Sequence, residues 1–137
     1  MKEKERKIAL RFGELYPQLC PIEEAEDTYS PFDFECGLYI IEIKARDKDY
    51  PDWVIEQIKV TKNSQIAKEK GKDFLYLTEF GGIGYVYNIT KLLAKDYDFR
   101  WQVKRMPETT EFNRSNWVDK DVGFLLKEDA TIIKLEV

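Results

Sequence analysis

Residues 29–46 read YSPFDFECGLYIIEIKAR, and the fold turns on how this stretch is divided. Leu38 to Arg46 is rich in branched and aromatic residues, the composition of a central β-strand. Successive side chains of a strand face opposite sides. Ile41, Ile43 and Ala45 therefore lie on one face, and Ile40, Glu42 and Lys44 on the other. A carboxylate and an ammonium inside an apolar strand are costly to bury unless they are paired or bound to a metal. Asp33, between Phe32 and Phe34, repeats the anomaly on a shorter strand running from Tyr29 to Phe34. Pro31 is tolerated there only at a strand start or on an edge. A turn at Glu35-Cys36-Gly37 pairs the two strands antiparallel. With an even-numbered loop Asp33 falls opposite Ile40 and diagonal to Glu42, on the same face. Diagonal neighbours lie roughly 7–8 Å apart, a span that hydrated cations can bridge. A three-residue loop would turn Asp33 to the other face unless a bulge corrected it.

Outward from this hairpin the chain alternates helix and strand. Ile8, Phe12, Leu15, Tyr16 and Leu19 mark one face of an N-terminal helix closed by Pro17 and Pro21. A third strand is expected over Trp53 to Val60, and a helix from about Lys62 to Lys70. Thr61 or Asn63 is its expected N-cap, with Gly71 just past its end. Strands follow at Phe74 to Thr78 and Tyr85 to Ile89, joined by a turn at Gly81-Gly82, and a short helical turn at Thr90 to Ala94. Further strands are expected at Phe99 to Lys104, Val122 to Lys127 and Thr131 to Val137. Order and lengths predict one α/β domain over residues 1–137, with a central mixed sheet flanked by helices, αβββαβ, and extra C-terminal strands.

Composition bounds the chemistry. A chain of 137 residues with 43% apolar content can bury a core. It has no histidine, which excludes Ser-His-Asp and Cys-His catalysis. With only two cysteines, Cys20 and Cys36, structural zinc and a disulfide framework are both disfavoured. Hydrolysis would have to use carboxylates, lysine, tyrosine or metal-activated water. The charged amphipathic N-terminus is not a secretory leader, and no apolar run reaches the ~18 residues of a membrane span, so a cytoplasmic protein is expected. The net charge of −4 counts somewhat against DNA, but carboxylates gathered for a cation lower that sum, and 22 Lys and Arg remain.

The pattern Pro31-x-Asp33, eight residues, then Glu42-Ile43-Lys44 resembles the motif of the PD-(D/E)XK nuclease superfamily. The likeness spans roughly Ile8 to Leu77. The run from YSPFDF to EIKARDKDYPDW looks like small phage-type nucleases of that group. The resemblance implies a restriction-endonuclease-like core and a DNA nuclease. Asp33, Glu42 and the Ile43 carbonyl would ligate Mg²⁺ or Mn²⁺, and Lys44 would orient water or stabilise charge on phosphate. It further implies a carboxylate from the first helix, with Glu14 preferred over Glu5, and DNA contacts from Lys59, Lys62 and Gln65 near the second helix. A homodimer would suit cleavage of two strands. Against this stand a non-catalytic binding module on the same fold and a structural protein with a chance motif.

Other features have plainer readings. Gly81, Gly82 and Gly84 precede a strand, so they make a hairpin and not a phosphate cradle. Trp53, Trp101 and Trp117 are expected mainly in packing. Arg105, Arg114 and Lys120 belong to a polar stretch that is either a substrate loop or a surface connection, and Tyr50 and Pro51 could rim the cleft.

Overall fold

A computed structural model describes residues 2–26, 30–108 and 116–136. The chain is α/β, but its strands form two sheets and not one. The elements are α1 (Lys2–Leu15), β1 (Glu23–Glu24), β2 (Phe34–Glu35), β3 (Tyr39–Ala45), β4 (Asp52–Glu56), α2 (Gln57–Lys70), β5 (Asp73–Phe80), β6 (Ile83–Asn88), α3 (Ile89–Ala94), β7 (Gln102–Pro107), β8 (Trp117–Leu126) and β9 (Thr131–Lys134). The main sheet has the order β1-β2-β3-β5-β6-β9. It is mixed: β3 and β5 run parallel, from Tyr39 beside Asp73 to Ala45 beside Glu79, and the remaining pairs are antiparallel.

The alternation along β3 sorts two apolar layers. Ile41 and Ile43 pack with Ile8, Ala9 and Phe12 of α1 and with Leu75 and Leu77 of β5. Ile40 belongs to the other layer, with Phe74, Tyr76, Trp53, Ile55, Val60 and Leu125. This second layer explains the expected third strand that leaves the sheet. Trp53 and Ile55 alternate as buried residues on β4, and β4 pairs with β8, Trp53 beside Leu125, in the three-stranded sheet β4-β8-β7. The β4–α2 segment thus forms the crossover between parallel strands β3 and β5.

Residues 57–60 are helical, not the end of a strand. Ile58, Val60 and Thr61 carry β-propensity, but α2 places Val60, Asn63 and Ala67 on one buried face, and tertiary packing overrides a weak preference. Glu56, not Thr61 or Asn63, precedes the helix. Gly71 ends it as expected, with φ of 68° and its N–H bonded to Ala67 and Lys68 carbonyls. Gly81 and Gly82, at φ 59° and 83°, make the two-residue turn between β5 and β6.

The remaining differences are local. Phe99 is a buried residue before β7, which runs six residues from Gln102. The strand expected from Tyr29 is regular only at Phe34 and Glu35, and Tyr29 itself, like Arg114 and Val137, lies outside the described residues. Cys20 and Cys36 are free thiols. Among the described residues no helix is long and apolar enough to cross a membrane.

Candidate active site

The hairpin that carries Asp33 toward β3 is tighter than expected. The Cys36 N–H donates to the Tyr39 carbonyl at 2.9 Å, so Gly37 and Leu38 form the turn, one residue later than Glu35-Cys36-Gly37. The register becomes Phe34 beside Ile41 and Glu35 beside Ile40. The paired register ends at Phe34, so Asp33 is not set opposite Ile40 as expected. Where β2 ends, Asp33 finishes the ladder with its side chain. Its N–H donates to the Ile41 carbonyl at 3.0 Å, and its Oδ2 accepts the Ile43 N–H at 2.8 Å.

Glu42 is 2% exposed. Its Oε2 lies 3.6 Å from Lys44 Nζ and 3.8 Å from Lys59 Nζ, while the buried Oε1 has no hydrogen-bond partner. Burial pushes this carboxyl up to about 7, and the charge on Asp33 adds to the rise. The two lysines oppose it, and Glu5 adds a smaller push upward. Burial also works against the ammonium of Lys44, but Glu42, with Tyr76 and Asp33, outweighs it and leaves the Lys44 pKa raised. Lys44 therefore remains a cation at neutral pH, while Glu42 is poised near its titration point.

The structure thus brings Asp33, Glu42 and Lys44 together and adds Lys59 from the first turn of α2. Lys59 Nζ and Asn63 Nδ2 both donate to the Pro31 carbonyl at 3.1 Å, which ties the helix to the segment leading into Asp33. Sequence reasoning missed this role of Asn63, because a strand was expected over residues 57–60. The i, i+4 spacing of Lys59 and Asn63 would have revealed it once the helix began at Gln57. Lys62 and Gln65 are exposed on the side of α2 opposite Val60, Asn63 and Ala67, and Gln65 Nε2 donates to Glu69 Oε1 at 3.4 Å. They do not join the cluster.

On α1 the two acidic candidates separate clearly. The Glu14 side chain is 67% exposed and stands 3.8 Å from Arg11 on its own helix. Glu5, three residues before Ile8, follows the apolar stripe inward and is only 7% exposed. Glu5, not Glu14, is the α1 carboxylate whose charge reaches Glu42.

The other singled-out residues serve mainly packing and surface pairing. Trp53 is buried and Trp101, though exposed, stacks on Phe99, whereas Trp117 is 58% exposed and not in the packing expected of it. Arg105 pairs with Asp119 at 3.5 Å, and Lys120 with Glu56 at 3.3 Å. Gly84 lies in β6 after the hairpin turn.

Among the described residues no three His, Cys, Asp or Glu side chains form a ready-made metal cluster. The donor set nonetheless fits a hard divalent cation. It offers two carboxylates, one with an unpartnered buried oxygen, and the Ile43 carbonyl, which leaves the strand on the same side as the N–H held by Asp33. Mg²⁺ commonly takes one or two carboxylates and keeps several waters. The ammoniums of Lys44 and Lys59 provide the positive charge now facing Glu42 Oε2. No protein-family model, curated protein or solved structure matches this chain.

Proposed function

We propose that this protein is a metal-dependent deoxyribonuclease with a restriction-endonuclease-like core and a PD-(D/E)XK-type centre. The observation that carries the reading is the convergence at Glu42. A nearly inaccessible carboxylate has Asp33 beside it, two lysines within 4 Å of one oxygen, and no hydrogen bond on the other. A carboxylate in that state is costly to the fold, and burial is tolerated where a ligand repays it.

Asp33, Glu42 and the Ile43 carbonyl would hold Mg²⁺ or Mn²⁺. When bound, the ion would screen phosphate charge and acidify water. Lys44, cationic at neutral pH, orients the attacking water or stabilises charge growing on the phosphate. Lys59 presents a second ammonium to the same phosphate from the first turn of α2, where backbone N–H groups also favour anions. The bond between Lys59 and the Pro31 carbonyl keeps Asp33 in place against β3.

The test is incubation of the protein with plasmid, single-stranded and branched DNA, with and without Mg²⁺ or Mn²⁺, beside Lys44→Ala. Cleavage that needs the metal and drops at least about 100-fold in the variant supports the reading. DNA binding without cleavage would favour a non-catalytic module on this fold. Equal degradation by both proteins would defeat the assignment.

A further inference from the structure

The even-numbered face of β3 does not stop at Lys44. Arg46 continues it two residues on, about 6.6 Å along the strand, and lines a cavity of about 350 Å³. Trp53, Met106, Phe124 and Lys104 line it with Tyr50, which is 50% exposed. Arg46 Nη2 donates to the Val54 carbonyl at 3.0 Å and to the Tyr76 hydroxyl at 2.9 Å, while its buried Nε has no hydrogen-bond partner. Among the described residues no carboxylate lies within ion-pair distance of this guanidinium. The acidic side chain in the wall, Asp52, is already engaged by Arg100 at 2.7 Å. The ring of Phe124 is itself flanked by cations, Arg100 at 5.2 Å and Lys104 at 5.9 Å.

We infer that this cavity receives one unpaired base of a DNA strand whose adjoining phosphate is held by Arg46, so that the proposed nuclease acts on single-stranded or locally splayed DNA. The inference rests on the nuclease reading of the neighbouring centre and gives it a substrate class. An unneutralised cation at the edge of an aromatic-walled cavity suits a ligand that joins an anion to a planar ring. A nucleotide is such a ligand. The volume lies at the low end of the roughly 300–1,000 Å³ usual for small-ligand sites, enough for one base and too little for a base pair with its backbone. A base stacked and paired in a duplex cannot enter, whereas an unpaired one can stack on Tyr50 or Phe124. Position along the chain links the two sites: Arg46 and Tyr76 are both close enough to Lys44 to act on its charge.

Tyr50 and Lys104 are exposed, so Tyr50→Ala and Lys104→Glu should leave the fold intact. The probe is a single-stranded oligonucleotide carrying one 2-aminopurine, bound to the non-cleaving Glu42→Gln protein, with the two substitutions added singly. Its fluorescence should be quenched on binding, and each substitution should weaken Kd about tenfold, Tyr50→Ala by one lost base stack and Lys104→Glu by reversing a charge beside the strand's phosphates. In parallel, the wild-type protein should cut single strands at least about ten times faster than duplex. Equal cutting of both, with binding unchanged by either substitution, would overturn the cavity assignment and leave the nuclease reading standing. Quenching that depends on Tyr50 and Lys104, with no DNA cut under any condition, would uphold the cavity and sink the nuclease reading.

Discussion

Two buried glutamates on neighbouring strands differ in what holds them. Glu79 on β5 is 1% exposed, as hidden as Glu42 on β3. Its Oε2 accepts the Gly82 N–H at 2.9 Å, bracing the turn into β6, and Lys4 of α1 stands 3.4 Å from its other oxygen. Among the described residues Glu42 has no backbone donor; it has a second carboxylate nearby and two ammoniums beyond ordinary hydrogen-bond range. In both residues Oε1 is buried without a hydrogen bond, but the fold gives Glu79 a backbone N–H on its other oxygen and gives Glu42 none. Burial and an unpartnered oxygen are common to both and do not mark a functional carboxylate; the missing backbone donor and the neighbouring Asp33 set Glu42 apart.

The largest expected contrast is in cleavage. Glu42→Gln should lower DNA hydrolysis at least about 1,000-fold, since one neutral amide replaces an anionic ligand. Glu79→Gln should keep the cleavage rate per folded molecule, measured after active-protein titration.

Stability should separate the two residues in the opposite sense. The Glu42 carboxyl is raised from 4.5 to about 7, so the folded state holds a proton that the unfolded chain has released. The stability this proton provides is complete below about pH 4.5 and is lost as pH rises through 7. Denaturant unfolding in EDTA should therefore find Glu42→Gln no more stable than wild type at pH 4.5, and about 3 kcal/mol more stable at pH 8. Glu79→Gln should instead lose about 1–2 kcal/mol, because the backbone donor at Gly82 faces a weaker acceptor.

The smallest contrast lies on α1. Glu5→Gln removes a like charge near Glu42 and should shift the midpoint of the pH–stability curve slightly downward. Glu14→Gln, exposed beside Arg11, should change neither that midpoint nor stability by more than about 0.5 kcal/mol.

Much of this arrangement was legible in the chain. The period-2 pattern of β3 placed Glu42 and Lys44 on one face, but Asp33 is held against β3 by its own backbone and side-chain hydrogen bonds, not by the strand register the hairpin predicted. Other parts depended on partners distant in sequence. Trp53 and Ile55 read as a strand, but only β8, some seventy residues on, decides that the strand belongs to a second sheet. The β-branched residues at 58, 60 and 61 concealed the start of α2, and with it the shared grip of Lys59 and Asn63 on Pro31. Glu14 was preferred over Glu5, although the spacing of Glu5 from Ile8 and Phe12 points inward, as the packed helix has it.

Calorimetric titration with Mn²⁺ at pH 8 and pH 6, for wild type and Glu42→Gln, tests the centre most directly. One ion should bind wild type at pH 8, about tenfold more weakly at pH 6 with proton release, since Glu42 must give up its proton below about 7. The variant should lose this binding at both pH values. Identical Mn²⁺ affinity in the two proteins, or wild-type affinity that does not change with pH, would contradict a metal site built on Glu42.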